Sequence, residues 1–128
     1  MNTHGCEALV ISCIDFRFQT TIREWLVRNG LSNEYDLFAK PGASKGADES
    51  LLENIGLSKK LHDIKMVIII HHQNCGAYGP ALISGSPEEL ETHITELNKA
   101  ESLIKARFSD LQVQKYFAKL DGTMERVS

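Results

Sequence analysis

The chain has no long apolar run, only three cysteines and three prolines, and no large excess of either charge. Each shortage excludes something. No stretch approaches the about 20 apolar residues that a bilayer-spanning helix needs, and the longest run, Met66 to Ile70, has the length of a strand. No membrane partner is expected. The opening MNTHGCEALVIS has no basic segment ahead of an apolar one, so it does not read as a secretory leader, and the expected location is cytoplasmic. Three cysteines without an export signal do not read as a disulfide framework; metal binding, catalysis and burial stay open for them. A net charge of −3 gives no global basic field, and no basic run is interleaved with aromatics, so nucleic acid is not an expected partner. Repeats, low-complexity segments and linkers are missing too. The 128 residues therefore read as one domain, 1–128, long enough to bury about two-thirds of its unfolded surface.

What is present alternates. ALVISCID (8–15) is a short apolar run and reads as a buried strand. FQTTIREWLVRNG sets Ile22, Trp25 and Leu26 at helical spacing and stops at Gly30. YDLFAK (35–40) is a second strand, closed by Pro41 and Gly42. ADESLLENIGLSKKLHD (47–63) reads as a helix with acidic residues in its first turn. KMVIIIHH is the third strand. The stretch after it opens on Ser86, Pro87, Glu88 and Glu89, a helix-start signal, and keeps Leu90, Ile94, Leu97, Ile104 and Phe108 near one face. QVQKYFAKL is a fourth strand, and Asp121-Gly122 turns it into a short return strand, TMERV.

The order β-α-β-α-β-α-β-β predicts an α/β fold of three layers. Its centre is a mostly parallel sheet of four strands plus one antiparallel edge strand, with helices on both faces. Ligands in such sheets sit beyond the carboxyl ends of the strands, where the strand order reverses. If the first strand neighbours the third, Cys13 and His72 arrive there together and Cys75 follows in the next loop.

Two thiolates and an imidazole are a familiar zinc set, and a three-ligand zinc site keeps a position for water or substrate. His-x-x-Cys alone also describes a buried strand that ends in polar residues. Gly76 and Gly79 are read as the source of turn freedom that lets His72 and Cys75 converge. The second stretch is SCIDFRF. In extended backbone Cys13, Asp15 and Arg17 alternate onto one side, where the arginine would keep the carboxylate ionised and oriented. Asp-x-Arg alone also describes an ordinary ion pair at a sheet end.

Taken together, Cys13-Ile-Asp15-Phe-Arg17 and His72-Gln-Asn-Cys75-Gly76 resemble the two motifs of the β-class carbonic anhydrases. The similarity runs over most of the chain: QKYFAKLDGTMERV looks like that family's terminal strand and hairpin, and Gly42 like the glycine after strand 2. The resemblance implies a zinc lyase that reversibly hydrates carbon dioxide to bicarbonate. Cys13, His72 and Cys75 would be the Zn2+ ligands, Asp15 and Arg17 a catalytic gating pair, and a zinc-bound hydroxide the nucleophile. It further implies a homodimer or higher homo-oligomer. With two thiolates cancelling the charge of the metal, an alkaline activity profile is expected. The alternatives are a zinc hydrolase acting on carbonyl sulfide or carbon disulfide, and a zinc-binding protein of this fold without lyase activity.

The chain also departs from the pattern. It reads as short for the family, and an N-terminal helical arm is not expected. NTHGCE holds no glutamine where one is usual, Asn54 stands at an aromatic position, and His71 replaces a glycine. These changes touch the substrate pocket and leave the metal set intact. Adjacent strand residues face opposite ways, so only one of the two histidines reaches the metal easily. His72 is preferred for its spacing to Cys75, and His71 is read as a supporting or structural residue and as a candidate proton carrier. His4, His62 and His93 are read as solvated, Cys6 as an unpaired structural or surface thiol, and Tyr78 as pocket lining or core. KPGASKG lacks the spacing of a phosphate-cradling loop. Gln19 stands where an anion-binding cysteine loop would need arginine.

Overall fold

The computed structural model describes residues 4–128; Met1, Asn2 and Thr3, part of the leader and NTHGCE readings, lie outside the described residues. The strands are β1 (Ala8–Ser12), β2 (Tyr35–Ala39), β3 (Met66–His72), β4 (Gln112–Ala118) and β5 (Met124–Val127). The helices are α1 (Gln19–Arg28), α2 (Glu49–His62) and α3 (Pro87–Arg107). The sheet order is β2-β1-β3-β4-β5; all pairs are parallel except β4 with β5. The expected three-layer α/β sheet is therefore the observed one.

Strand alternation sorts the core. Leu9, Ile11, Val67, Ile69 and Phe117 face one side and pack with Leu51, Leu52 and Ile55 of α2 and Leu97, Ala100 and Ile104 of α3. Ala8, Val10, Ile68, Ile70 and Tyr116 face the other and pack with Phe18 and with Ile22 and Leu26 of α1. Central β3 is buried on both faces, which is why it reads as an unbroken β-branched run.

Helix ends follow local chemistry. Asp48 accepts from the Leu51 N–H at the start of α2, and Ser86 accepts from the Glu89 N–H at the start of α3, with Pro87 inside the first turn. Asp63 closes α2 in the left-handed region at φ 49°. The chain moves outward from β1 to β2, then back to β3 on the other side of β1. The gap between the carboxyl ends of β1 and β3 is the reversal point, where parallel sheets of this kind open a crevice.

Candidate metal centre

Cys13 leaves the end of β1, His72 is the last residue of β3, and Cys75 follows in the next loop. One ligand atom from each lies within 4.8 Å of the others. All three are buried, at 8%, 2% and 7% exposure. The sequence-predicted set is thus brought together by the register of β1 on β3, which pairs Ser12 with Ile70.

The chemistry of this group is decided by His72. Its Nδ1 donates to the Gln73 carbonyl at 2.7 Å, which leaves Nε2 as the lone-pair nitrogen. That Nε2 is buried and has no hydrogen-bond partner. Burial holds the ring below the usual histidine range, so it is neutral near pH 7. Burial also pushes the Cys75 thiol up to about 11, with the neighbouring Cys13 sulfur adding to the effect. The Gly42 N–H approaches the Cys13 sulfur at 3.4 Å. A buried acceptor nitrogen with no donor, facing two thiols, is short of a cation. The residues fit a zinc ion in donor type and number.

Asp15 and Arg17 also meet, by a different route from the one their alternation suggested. β1 ends at Ser12, and residues 16–18 form a single 3-10 turn that Asp15 caps. Asp15 Oδ1 accepts from the Arg17 N–H at 2.9 Å and from Nε at 3.0 Å, and Oδ2 accepts from Nη2 at 2.7 Å. Those Arg17 bonds hold the Asp15 carboxyl down at about 2. Its Oδ2 is 3.9 Å from His72 Nε2. The capping turn, not extended backbone, puts carboxylate and guanidinium face to face beside the donor set.

The sequence reading missed how this is buttressed. Arg17 also donates to the Asn74 side-chain oxygen and backbone carbonyl, both at 2.9 Å. Asn74 sits at φ 59°, in the left-handed region that asparagine tolerates better than most residues. It therefore turns the chain between His72 and Cys75, where Gly76 had been expected to help; Gly76 does not have positive φ, and Gly79 does, further on. The Asn74 N–H donates to buried Glu89 at 2.7 Å, and Glu89 also accepts from the Gly85 N–H at 2.9 Å. The helix-start signal found Glu89, but nothing local announces its reach to Asn74.

His71 faces away, as alternation requires. The Ser44 hydroxyl lies 2.6 Å from its Nε2, and the Ser44 backbone N–H donates to the same nitrogen at 3.4 Å. Nε2 is therefore the acceptor, and Nδ1–H donates to His93 Nδ1 at 2.9 Å. Burial holds His71 down at about 3 and His93 down at about 4. Two readings are corrected here. His93 is not solvated, being 1% exposed. His71, buried and hard to protonate, is a poor proton carrier near neutral pH.

Fold and site together define the class: an α/β protein with a thiol-imidazole donor set at the reversal point of a parallel sheet. The chain belongs to the putative carbonic anhydrase family, whose model matches residues 3–128. An uncharacterised protein of Rickettsia bellii is 32% identical, over 93% of this chain and 80% of its own length. Another, of Rickettsia conorii, is 30% identical, over 93% and 70%. Among solved structures, a β-carbonic anhydrase of Trichomonas vaginalis superposes with a TM-score of 0.68 at 12% identity, covering 99% of this chain and 85% of that one. One from Aspergillus fumigatus gives 0.65 at 18%, covering 98% and 76%. A β-carbonic anhydrase from Sordaria macrospora, described as tetrameric, gives 0.62 at 14%, covering 98% and 82%. These structural likenesses establish the β-carbonic anhydrase fold, and the family points broadly to a lyase-type enzyme. No described helix is long and apolar enough to cross a membrane.

Proposed function

We propose that the chain reversibly hydrates carbon dioxide to bicarbonate, with zinc held by Cys13, His72 and Cys75. One observation carries the reading: the unpartnered, buried Nε2 of His72, with two thiols converging on it. Zinc, when bound, supplies the acidity that turns water into a nucleophile near neutral pH.

The residues of the chain do the rest. The Gln73 carbonyl fixes the His72 tautomer, and the Phe18 ring, 4.3 Å from the imidazole, shields that side from water. Arg17 keeps Asp15 ionised and aimed, so its carboxylate accepts a hydrogen bond from the reacting water and orients it toward the substrate carbon. When Arg17 lets go, Asp15 is free to turn onto the donor set and close it. Cys13 and Cys75, bound as thiolates, would soften the metal's pull on water, so an alkaline activity profile is expected.

A homodimer or larger homo-oligomer belongs to the same proposal. Ile14 and Phe16 flank Asp15 and are 58% and 85% exposed; apolar side chains this open suit burial against a second copy. Thiol ligands suit a reducing compartment, hence the cytoplasm.

Stopped-flow hydration of carbon dioxide by zinc-loaded protein, from pH 7 to pH 9, tests the reading. Rates well above buffer that climb with pH are expected. Buffer rates throughout, with zinc bound, overturn it; sulfide release from carbonyl sulfide would then identify the substrate as a sulfur analogue.

A further inference from the structure

At the opposite end of the sheet, three residues that the proposed reaction does not use come together. Cys6 precedes β1, Asp36 lies in β2 and His62 ends α2. A ligand atom from each lies within 4.8 Å of the others. The grouping is built into the backbone. The Cys6 N–H donates to the His62 carbonyl at 2.9 Å, and a Cβ on Gly5 would come within 3.2 Å of that same carbonyl. Glycine at position 5 thus lets the lead-in to β1 run tight against the end of α2.

The geometry points to a second site for a divalent transition-metal ion, with Cys6, Asp36 and His62 as ligands and zinc as the natural probe. Thiolate, imidazole and carboxylate are all zinc ligands, and bond lengths of about 2.0–2.3 Å set donors about 3.3–3.7 Å apart around a tetrahedral ion. Here His62 Nδ1 and Asp36 Oδ2 are hydrogen-bonded at 2.7 Å, and all three donors fall within 4.8 Å, so an ion would take the place of the proton the pair shares. The Ser58 hydroxyl donates to the same Asp36 Oδ2 at 2.6 Å and holds the carboxylate in place, as supporting groups do around metal ligands. The carboxyl end of α2 adds its negative pole. All three residues are partly exposed, which gives an ion access and leaves a coordination position for water. His4 stands edge-on to His62, with ring centroids 6.0 Å apart, and brings a second imidazole to the rim. Burial and the Asp36 charge push the Cys6 thiol up. That disfavours a free nucleophile and matches a sulfur that ionises when a cation arrives.

Zinc titration of the metal-free full chain tests the site, with bound metal counted after gel filtration. Two equivalents are expected for the wild type, one for C6S/H62A and one for C13S/C75S. In C13S/C75S, zinc should also shield Cys6 from iodoacetamide, and adding D36N should remove that shielding. Failure of C13S/C75S to bind zinc, or C6S/H62A binding as much as the wild type, overturns the inference. Should C6S/H62A not fold, the D36N variant carries the same comparison. A wild type that binds one equivalent, lost in C6S/H62A and kept in C13S/C75S, would uphold this site and defeat the zinc site proposed at the other end.

Discussion

Two neighbouring histidines at the end of β3 face opposite sides of the sheet, and each side holds a buried ring nitrogen without a partner: Nε2 of His72 and Nε2 of His93. The two nitrogens are chemically opposite. The His72 tautomer makes its Nε2 a lone pair, and two sulfurs converge on it. On the other side the Ser44–His71–His93 chain passes hydrogen bonds outward, so His93 Nε2 carries the proton. The His93 ring lies among other rings, its centroid 4.2 Å from that of Tyr78 and 5.0 Å from that of Phe117. An unsatisfied nitrogen is thus not a metal site by itself. The tautomer and the neighbouring donors decide whether it can take a cation.

The largest expected effect breaks the His72 side. Cys13→Ser or Cys75→Ser should drop zinc-dependent carbon dioxide hydration to the buffer rate, read by stopped flow, because serine is a poor zinc ligand at neutral pH. Hydration at wild-type rates in either variant contradicts the ligand set. Next comes Asp15→Asn, which should retain the metal and lose about 10²-fold or more in kcat. Arg17→Lys should lose activity too, since a lysine cannot supply the fork that grips Asp15 and Asn74 together. Undiminished turnover in Asp15→Asn removes its proposed role.

The His71 side should speak through stability. Both histidines have folded pKa values below the unfolded value near 6.5. Below that pH the unfolded chain takes up protons that the folded one refuses. Their contribution is therefore complete above pH 6.5 and is lost as pH falls toward 4 and then 3. Each contributes a slope of up to about 1.4 kcal/mol per pH unit. Urea unfolding of metal-free protein between pH 7 and pH 4 should show this decline, and His93→Gln should flatten it. A stability that does not change over that range contradicts the buried, neutral pair. The smallest effect is at the loop. Asn74→Ala should cost about 1 kcal/mol for its left-handed backbone, beyond the loss of the Arg17 contact, whereas Asn74→Gly keeps the backbone relaxed.

The sequence was most informative where signals are local. β-branched runs, helix caps and the Asp121-Gly122 turn marked the elements, and two short motifs marked Cys13, Asp15, Arg17, His72 and Cys75. Alternation showed that only one of His71 and His72 reaches the strand-end group, and the spacing to Cys75 chose His72. The illegible parts depend on contacts between distant segments. Glu89 reaches Asn74 across 15 residues, and Ser44 meets His71 across 27. His93 looked solvated because a lone histidine among Glu and Thr on a helix carries the pattern of a wet face, yet α3 turns it into the sheet. The turn at 16–18 was hidden because Asp-Phe-Arg fits extended backbone as well as a capped turn. Cys6 and His62 lie 56 positions apart, and only the docking of α2 against the start of β1 joins them.

The most direct test of the account is the zinc content of His72→Ala, made in the C6S/H62A background so that only the β1–β3 end can hold metal. One equivalent is expected in that background and none once His72 is replaced, with the fold intact by circular dichroism. Full retention of zinc by the His72→Ala protein would contradict it: the end of β3 would then be a buried strand terminus and not a metal centre.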